Sequence, residues 1–396
     1  MGKRGLFLGG AHSQVPILEE AKRRGHYVIT CDYLPDNPGH KIADEYHNVS
    51  TTDIPGVIAL AQRVKPDYIM AYASDVAAMT AAVVSEKLGL KYNSVESVRL
   101  LSEKNAFRAL QKRLGLNVPN FATLGPKEGA EALLDWEYYP CIVKPTDSAG
   151  SKGVVRVDCI KEIDQAISYA RSFSKSGNVI VEEFIDNLVA DLHGDGFVQD
   201  GKLVFLQLGD HVYSKGTSPF NPMGTIWPSR ASEEHINEIA GLVDSIIRAS
   251  GFDNGAINVE ARVSSRGLIY VMEIGARCGG HYVPQAIFHS SGFSIVSAIM
   301  DSIDNIEMAI SLKQGSVSAY YAINSRQSGL LKQIIIDPKI SDMVIEKHEY
   351  LSLGEKVYSF NNSSAALGIV ILKSENYDRI DDFYRNADDY VRVLVS

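Results

Sequence analysis

Two glutamates stand in neighbouring apolar segments that a tight turn joins. Glu260 lies in "INVEARV" and Glu273 in "IYVMEI", with Ser265–Gly267 between them. Antiparallel pairing across this turn brings the two carboxylates to one face of a sheet, where they repel each other unless a cation lies between them. Mg²⁺ uses one or two carboxylates together with phosphate oxygens. The spacing therefore predicts a magnesium site beside the phosphates of a nucleotide, with Mn²⁺ as an alternative ion.

A lysine followed by a loop of small residues forms a second candidate site. In "IVKPTDSAGSKGV", Lys144 ends a predicted strand and glycine and hydroxyl residues come after it. Small residues let the backbone approach phosphate oxygens, and the lysine adds a fixed positive charge. The Walker A pattern G-x-x-x-x-G-K-[ST] is absent. The loop predicts a different phosphate cradle, and its proposed contacts are Ser148, Gly150, Ser151 and Gly153.

The strand "VIVEEFID" offers groups that suit an adenine ring. Adenine needs an apolar slot, an acceptor for its exocyclic amine and backbone groups for its ring edge. Glu182 is the proposed acceptor, and the segment Glu183–Ile185, which includes Phe184, supplies backbone groups and a wall. Taken alone, two glutamates at a strand end are also typical of a solvated pair.

Three further residues are candidates for the reacting end of the site. Arg277 follows Glu273 by four residues and is placed to neutralise charge on a transferring phosphoryl group. His281 comes after two glycines and is placed to meet a substrate near Arg277. Lys215, in "HVYSKGTSP", is a candidate for the γ-phosphate or the substrate. A structural histidine and a solvated lysine are the alternatives for the last two.

The order of elements predicts how these residues are held. Strands and helices alternate over 1–92, which predicts a doubly wound parallel sheet. We expect a linking helix within 93–119, a mobile lid over 120–190, a core with the metal site over 191–310 and a C-terminal subdomain over 311–396 that completes the core. The strands after 190 carry antiparallel turn signals such as Asp200-Gly201. The fold class is therefore a combination of α/β and α+β.

The first glycine turn raises the alternative of a nicotinamide cofactor. Gly9 and Gly10 follow an apolar run and Asp32 ends the next one, but Ala11 and Gln14 stand where the later fingerprint glycines belong. We therefore expect a nucleotide-binding type of fold in this domain without NAD.

Composition excludes several classes of protein. A formal net charge of −9 over 396 residues argues against nucleic acid as a partner. No apolar run reaches the ~18 residues that a membrane span needs, so we expect no membrane association and a cytoplasmic location. The four cysteines are widely separated, without zinc-ligand spacing.

Together, these motifs in this order resemble the ATP-grasp superfamily. The resemblance implies that Lys104 and Lys144 hold the α- and β-phosphates. It also implies an adenine site at the hinge strand, a ribose contact at Asp191 and metal binding by the two glutamates. Many members have an asparagine where this chain has Gly275, which leaves one or two metal ions open. The segment "EIGARCGG" and the run "YLSLGEKVYSFNNSSAALGIVILKS" resemble L-amino-acid ligases and related carboxylate–amine ligases.

The resemblance implies an ADP-forming carbon–nitrogen ligase. Such an enzyme activates a small carboxylate as an acyl phosphate, using ATP and Mg²⁺, and joins it to an amine. Alternatives are a bicarbonate-using carboxylase or carbamoyl-phosphate-synthase-like enzyme, and an ATP-binding regulator without turnover. A homodimer is an option for the assembly.

Overall fold

The computed structural model describes residues 2–148, 150–213, 221–308, 310, 312 and 315–396. A parallel four-stranded sheet, in the order β3-β2-β1-β4, forms the first domain and confirms the predicted doubly wound start. Its strands are β1 Arg4–Leu8, β2 Tyr27–Cys31, β3 Glu45–His47 and β4 Tyr68–Met70, and its helices are α1 Val15–Arg23, α2 Ile54–Val64 and α3 Asp75–Leu88.

The glycine turn after β1 is filled by a side chain of its own domain. The Gln14 amide donates to the carbonyls of Leu8 and Tyr72, and its oxygen accepts from the backbone N–H of Ala11. A Cβ at Gly9 would lie 2.3 Å from this amide. The glycine is therefore needed for close packing against Gln14.

Two helices replace the single linking helix that the sequence predicts, and on this point the prediction is wrong. α4 Val95–Ser102 ends and α5 Lys104–Arg113 begins at Glu103, whose backbone is extended, with φ −85° and ψ 117°. The break allows α5 to start with Lys104 at its N-terminus.

The segment predicted as a lid has a sheet and a core of its own. β5 Phe121–Leu124, β6 Cys141–Pro145, β7 Val155–Val157 and β8 Val179–Glu183 form an antiparallel sheet in the order β5-β8-β6-β7. The helix α6 Ile163–Arg171 packs on it. The buried apolar residues between this helix and the sheet form one cluster, which we call the lid cluster, and Trp136 packs against it.

An eight-stranded sheet, in the order β13-β12-β9-β10-β11-β14-β18-β16, forms the centre of the molecule. Its strands are β9 Leu192–Gln199, β10 Lys202–Tyr213, β11 Pro222–Trp227, β12 Gly255–Val263, β13 Ile269–Gly275, β14 Val317–Ile323, β16 Val344–Glu349 and β18 Gly368–Ser374. Asp200-Gly201 joins β9 to β10, as predicted. The second tryptophan, Trp227, is fully buried against this sheet.

The remaining elements surround this sheet. α7 Glu233–Ser250, α8 Val283–Ser291 and α9 Ile295–Asp304 pack on it, and the C-terminal part adds α10 Tyr377–Arg385 and α11 Ala387–Tyr390. A small sheet consists of β15 Gly329–Ile336, β17 Lys356–Val357 and β19 Val391–Val395. Within the described ranges no single helix is long and apolar enough to span a membrane; α8 and α9, bent by 100°, reach that length only as a pair.

Candidate active site

Lys104 lies where α5, β13 and the loop after β6 meet. Its backbone N–H donates to the carbonyl of Thr146 at 3.3 Å, and its Nζ donates to the carbonyl of Ser148 at 2.7 Å. The same ammonium group lies 3.7 Å from the carboxylate of Glu273. The helix break at Glu103 thus places a cation between the glycine loop and the predicted metal site.

The glycine loop turns through the left-handed region at three positions. φ is +70° at Gly150, +58° at Ser151 and +74° at Gly153. Glycine adopts this conformation without steric cost, and turns of this kind form concave sites that suit anions. The backbone therefore has the shape that a phosphate cradle needs, and the contacts of its residues with phosphate stay a prediction.

Glu182 is paired with two cations in the interior. It is 1% exposed; its carboxylate lies 2.6 Å from Nζ of Lys144 and 2.8 Å from Nε of Arg108. Burial alone would raise the pKa of Glu182, but the charges of Arg108 and Lys144 lower it to about 2. The ion pair with Glu182 fixes Lys144 at the end of β6.

Arg108 is a site residue that the sequence reasoning missed. It also donates to the carbonyl of Met272 on β13, at 2.8 Å. It follows Lys104 by four residues on α5, so the two cations share a helix face. This four-residue spacing was the signal in the sequence that could have found Arg108.

Glu260 and Glu273 are direct partners in the register of β12 and β13, which confirms the predicted strand pairing. Glu260 is exposed to solvent, yet the protein around its carboxylate raises its pKa by desolvation, and the negative charges of Glu273 and Asp191 raise it further. The described residues contain no cluster of three or more histidine, cysteine or acidic side chains arranged for a metal. Two carboxylates fit Mg²⁺ if phosphate oxygens complete its shell.

Arg277 joins the core to the first domain. Its Nε and Nη2 donate to the two oxygens of Asp75 at 2.8 and 2.6 Å, and its Nη1 donates to the carbonyl of Cys278. Burial would raise the pKa of Asp75, but the Arg277 charge lowers it. Asp75, at the start of α3, is a second residue that the sequence reasoning missed.

The Asp75–Arg277 pair also explains the glycine at 275. A Cβ at Gly275 would lie 2.9 Å from Oδ1 of Asp75 and 3.2 Å from Nε of Arg277. A cavity of about 220 Å³, lined by Lys104, Ser148, Asp75 and Glu273 among others, opens at this point. We call it the Glu273 cavity.

The ATP-grasp domain family has a model that matches residues 137–285, which include the glycine loop, Glu182, Arg277 and both glutamates. The chain contains an ATP-grasp domain. The resemblance predicted from the motifs is confirmed. Lys144, Glu260 and Glu273 lie within the matched residues, and Lys104 lies before them.

Curated proteins similar to this chain include a formyltransferase and the large chain of a synthase. A formate-dependent phosphoribosylglycinamide formyltransferase of Erythrobacter litoralis is 26% identical over 278 residues, 67% of this chain and 68% of that protein. The chain spans about half the length of the next three curated relatives it matches. A carbamoyl phosphate synthase large chain of Thermotoga petrophila is 26% identical over 49% of this chain and 18% of its own length.

A solved structure shows the same fold over the whole chain. The crystal structure of L-amino acid ligase from Bacillus licheniformis has a TM-score of 0.84 and 23% identity, covering 100% of this chain and 99% of that one. This likeness confirms the mixed parallel and antiparallel fold class.

Arginines contact the residues after β8 that are predicted to hold adenine and ribose. Phe184 lies under the guanidinium groups of Arg156 and Arg262, at 4.7 and 5.3 Å from its ring centre. Arg262 also donates to the carbonyl of Ile185 at 2.7 Å and pairs with Asp191. Glu183 accepts a hydrogen bond from the side chain of Asn120, which comes directly before β5, the strand beside β8. The adenine and ribose contacts stay predictions.

Imidazoles line the sheet face beside the predicted metal site. Glu260 is the register partner of His193, whose ring stacks on His211 with 4.3 Å between centres. Burial lowers the pKa of His193 and lowers that of His211 to about 4, so both are neutral near pH 7. The alternation in "DLHGD" (191–195) was the signal that could have found His193; His211 lies on β10, outside this pattern.

His281 lies in a strained turn next to Arg277. φ is +53° at His281 and +60° at Tyr282, values that non-glycine residues seldom adopt. The His281 ring stacks on Tyr320 at 5.8 Å, and burial lowers its pKa to about 4. Its contact with a substrate stays a prediction. Lys215 lies outside the described residues.

Asp195 supports the loop that follows Arg277. Its Oδ1 accepts from the backbone N–H of Gly279 at 2.8 Å and from the Asn258 amide at 2.7 Å. Its Oδ2 is buried and has no partner in the described part of the chain. Burial raises the pKa of Asp195 to about 7. The loop is therefore held by a carboxyl group that prefers to be protonated.

Proposed function

We propose that the protein is an ATP- and Mg²⁺-dependent carbon–nitrogen ligase that forms an acyl phosphate and releases ADP and phosphate. The Glu273 cavity carries this proposal, because its wall brings together Lys104, which we assign to the phosphates, Glu273, which we assign to the metal ion, and Asp75, which holds Arg277. The L-amino acid ligase named above and the formate-dependent relative support it, since formate is itself a carboxylate. A cytoplasmic location and a homodimer stay predictions.

In the proposed first half-reaction, a carboxylate oxygen attacks the γ-phosphorus of ATP. The bond from that phosphorus to the β-phosphate bridge oxygen breaks and ADP leaves. Lys104 and the glycine loop would hold the phosphates, and Lys144 would keep its position through Glu182. A magnesium ion held by Glu260 and Glu273 would supply charge neutralisation on the phosphate oxygens. Positioning and electrostatics account for most of such a transfer.

In the proposed second half-reaction, an amine nitrogen attacks the acyl carbon. The carbon–nitrogen bond forms, the bond from carbon to the phosphate oxygen breaks, and the surplus proton leaves with phosphate. Arg277 keeps one N–H on each terminal nitrogen free of the contacts described above, so it can bind carboxylate or phosphoryl oxygens.

Hydroxylamine trapping tests the proposal. We would incubate the protein with Mg-ATP, hydroxylamine and single acids, including formate, bicarbonate and amino acids. A hydroxamate should form only when ATP and the right acid are both present, with ADP as the product. Glu273→Gln should lower the yield about 100-fold, whereas Glu234→Gln on the exposed start of α7 should leave it unchanged. AMP in place of ADP would contradict the acyl-phosphate route.

The carbamoyl phosphate synthase relative favours one alternative, in which bicarbonate is the acid. Bicarbonate-dependent ADP release without hydroxamate from any organic acid would support that alternative over the proposed ligase.

A further inference from the structure

A second and larger cavity lies between the first domain and the core. Its volume is about 610 Å³, within the range of small-molecule sites. One wall follows the edge strand β4 and the residues after it, from Asp67 to Tyr72; the opposite wall comes from 252–256 and from α9. We call it the interdomain cavity.

A single segment separates the two cavities. Glu273, Ile274 and Gly275 line the Glu273 cavity, and the next three residues, Ala276, Arg277 and Cys278, line the interdomain cavity. Asp75, which holds the Arg277 guanidinium, lines the Glu273 cavity. Arg277 therefore has the phosphate end of the site on one side and the interdomain cavity on the other.

The walls of the interdomain cavity combine apolar and polar side chains, and the apolar ones form the larger part of the surface. Buried side chains there include Ile69, Met70, Phe252, Ala256 and Ile299. The lining also contains the exposed Asp67, Lys91 and Asp253 and the partly buried Lys3. A largely apolar cavity with a guanidinium in its wall suits an anion with an apolar body. The same cation disfavours the ammonium form of an amine.

We propose that the interdomain cavity holds the body of the acid substrate, an elongated carboxylic acid with an apolar chain whose carboxylate lies at Arg277. This proposal rests on the proposed function and names the class of acid that the ligase takes. It also assigns a reason for the shape of the Glu273 cavity, which then needs to hold only the phosphates and the carboxylate group.

Calorimetry with acids of increasing length tests this proposal without turnover. We would titrate propionate, hexanoate and octanoate into the protein with Mg²⁺ and a non-hydrolysable ATP analogue. Each methylene buried should tighten binding about fourfold. Octanamide, which lacks the charge, should bind about tenfold more weakly than octanoate. Equal affinity for propionate and octanoate would overturn the proposal.

A variant that fills the cavity provides the matched test. Ser302 on α9 lines the interdomain cavity and is half-buried, so Ser302→Trp places a large ring inside it. Octanoate should then bind about tenfold more weakly while propionate is unchanged. The control Ser245→Trp, on the exposed face of α7, should affect neither acid. Equal weakening of both acids by Ser302→Trp would count against the proposed site.

The two proposals fail in different ways. If octanoate binds with the expected length dependence but no acid gives a hydroxamate, the acid site stands and the ligase reaction is wrong. If short acids give hydroxamates but length has no effect on binding, the reaction stands and the cavity does not hold the acid.

Discussion

Arg277 joins the two domains: it lines the interdomain cavity and holds Asp75, which lines the Glu273 cavity. Its paired bonds to Asp75 use two N–H groups in a planar arrangement that a lysine cannot reproduce. We expect Arg277→Lys to lower the hydroxamate yield about 100-fold and to change the Kd of Mg-ATP about twofold or less. Arg248→Lys, at an exposed ion pair on α7, should change neither quantity. An equal loss of ATP affinity and yield would place Arg277 at the nucleotide instead.

Asp195 predicts a pH dependence of stability. Its pKa is raised from 3.8 to about 7, so between these values the folded protein keeps a proton that the unfolded chain has lost. Stability from this group is therefore highest at low pH, falls as the pH rises toward 7 and is level above that. Asp195→Asn mimics the protonated form and removes this slope.

Urea unfolding of the two proteins at pH 5 and pH 8 measures the effect. The free energy of unfolding of the wild type, relative to Asp195→Asn, should fall by about 3 kcal/mol between the two pH values. Asp36→Asn, in the exposed loop after β2, is the control. The same difference at both pH values would show that Asp195 is ionised in the fold.

Local patterns were enough to predict one part of the site and not another. The two glutamates could be predicted because one tight turn fixes their register, and Lys144 because its glycine loop follows directly. Arg108 and Asp75 could not, since their partners Glu182 and Arg277 lie 74 and 202 residues away along the chain. Contacts at that distance depend on how whole elements pack, which periodicity does not encode.

At the scale of elements, the mobility of the lid sheet is a prediction. The lid sheet has its own apolar cluster, and Lys104 bonds two carbonyls of its glycine loop. We expect Mg-ATP to slow hydrogen exchange in the loop 146–153, because phosphate orders its backbone. The hairpin turn at Asp200-Gly201, remote from the cleft, should show no change. Exchange in the loop that is unaffected by nucleotide would mean that the lid does not close.

The elements themselves were largely predictable, and the main error has a physical cause. The apolar spacing over 94–116 is continuous, so it indicates one helix. Glu103 takes an extended conformation because Lys104 and its neighbours must turn toward Thr146 and Ser148. A tertiary contact thus overrides helix propensity at one residue.

At the scale of the whole molecule, an ion cluster docks the first domain on the core. Arg24 at the end of α1 pairs with Asp301 at 2.7 Å and with Asp304 at 3.2 Å, both on α9, and its side chain is 14% exposed. Removing one partner leaves acidic charge half-buried. We expect Arg24→Ala to lower the free energy of unfolding by about 3 kcal/mol.

Arg23 supplies the control for this prediction. It pairs with Glu20 on the same helix, and its side chain is 69% exposed. Arg23→Ala should leave the free energy of unfolding almost unchanged in the same denaturation experiment. Similar losses for the two variants would mean that the cluster adds nothing beyond a surface ion pair.

The two tryptophans of the sequence lie in different parts of the fold, so the predicted lid and the core each have their own fluorophore. Trp136 packs against the lid cluster, and Trp227, the last residue of β11 in the central sheet, is fully buried. In Trp227→Phe protein, the emission spectrum reports the lid alone, so it should shift when Mg-ATP is mixed in a stopped-flow cell. The emission of the Trp136→Phe protein should not change in the same mixing experiment. The time course measured with the Trp227→Phe protein then gives the rate of closure.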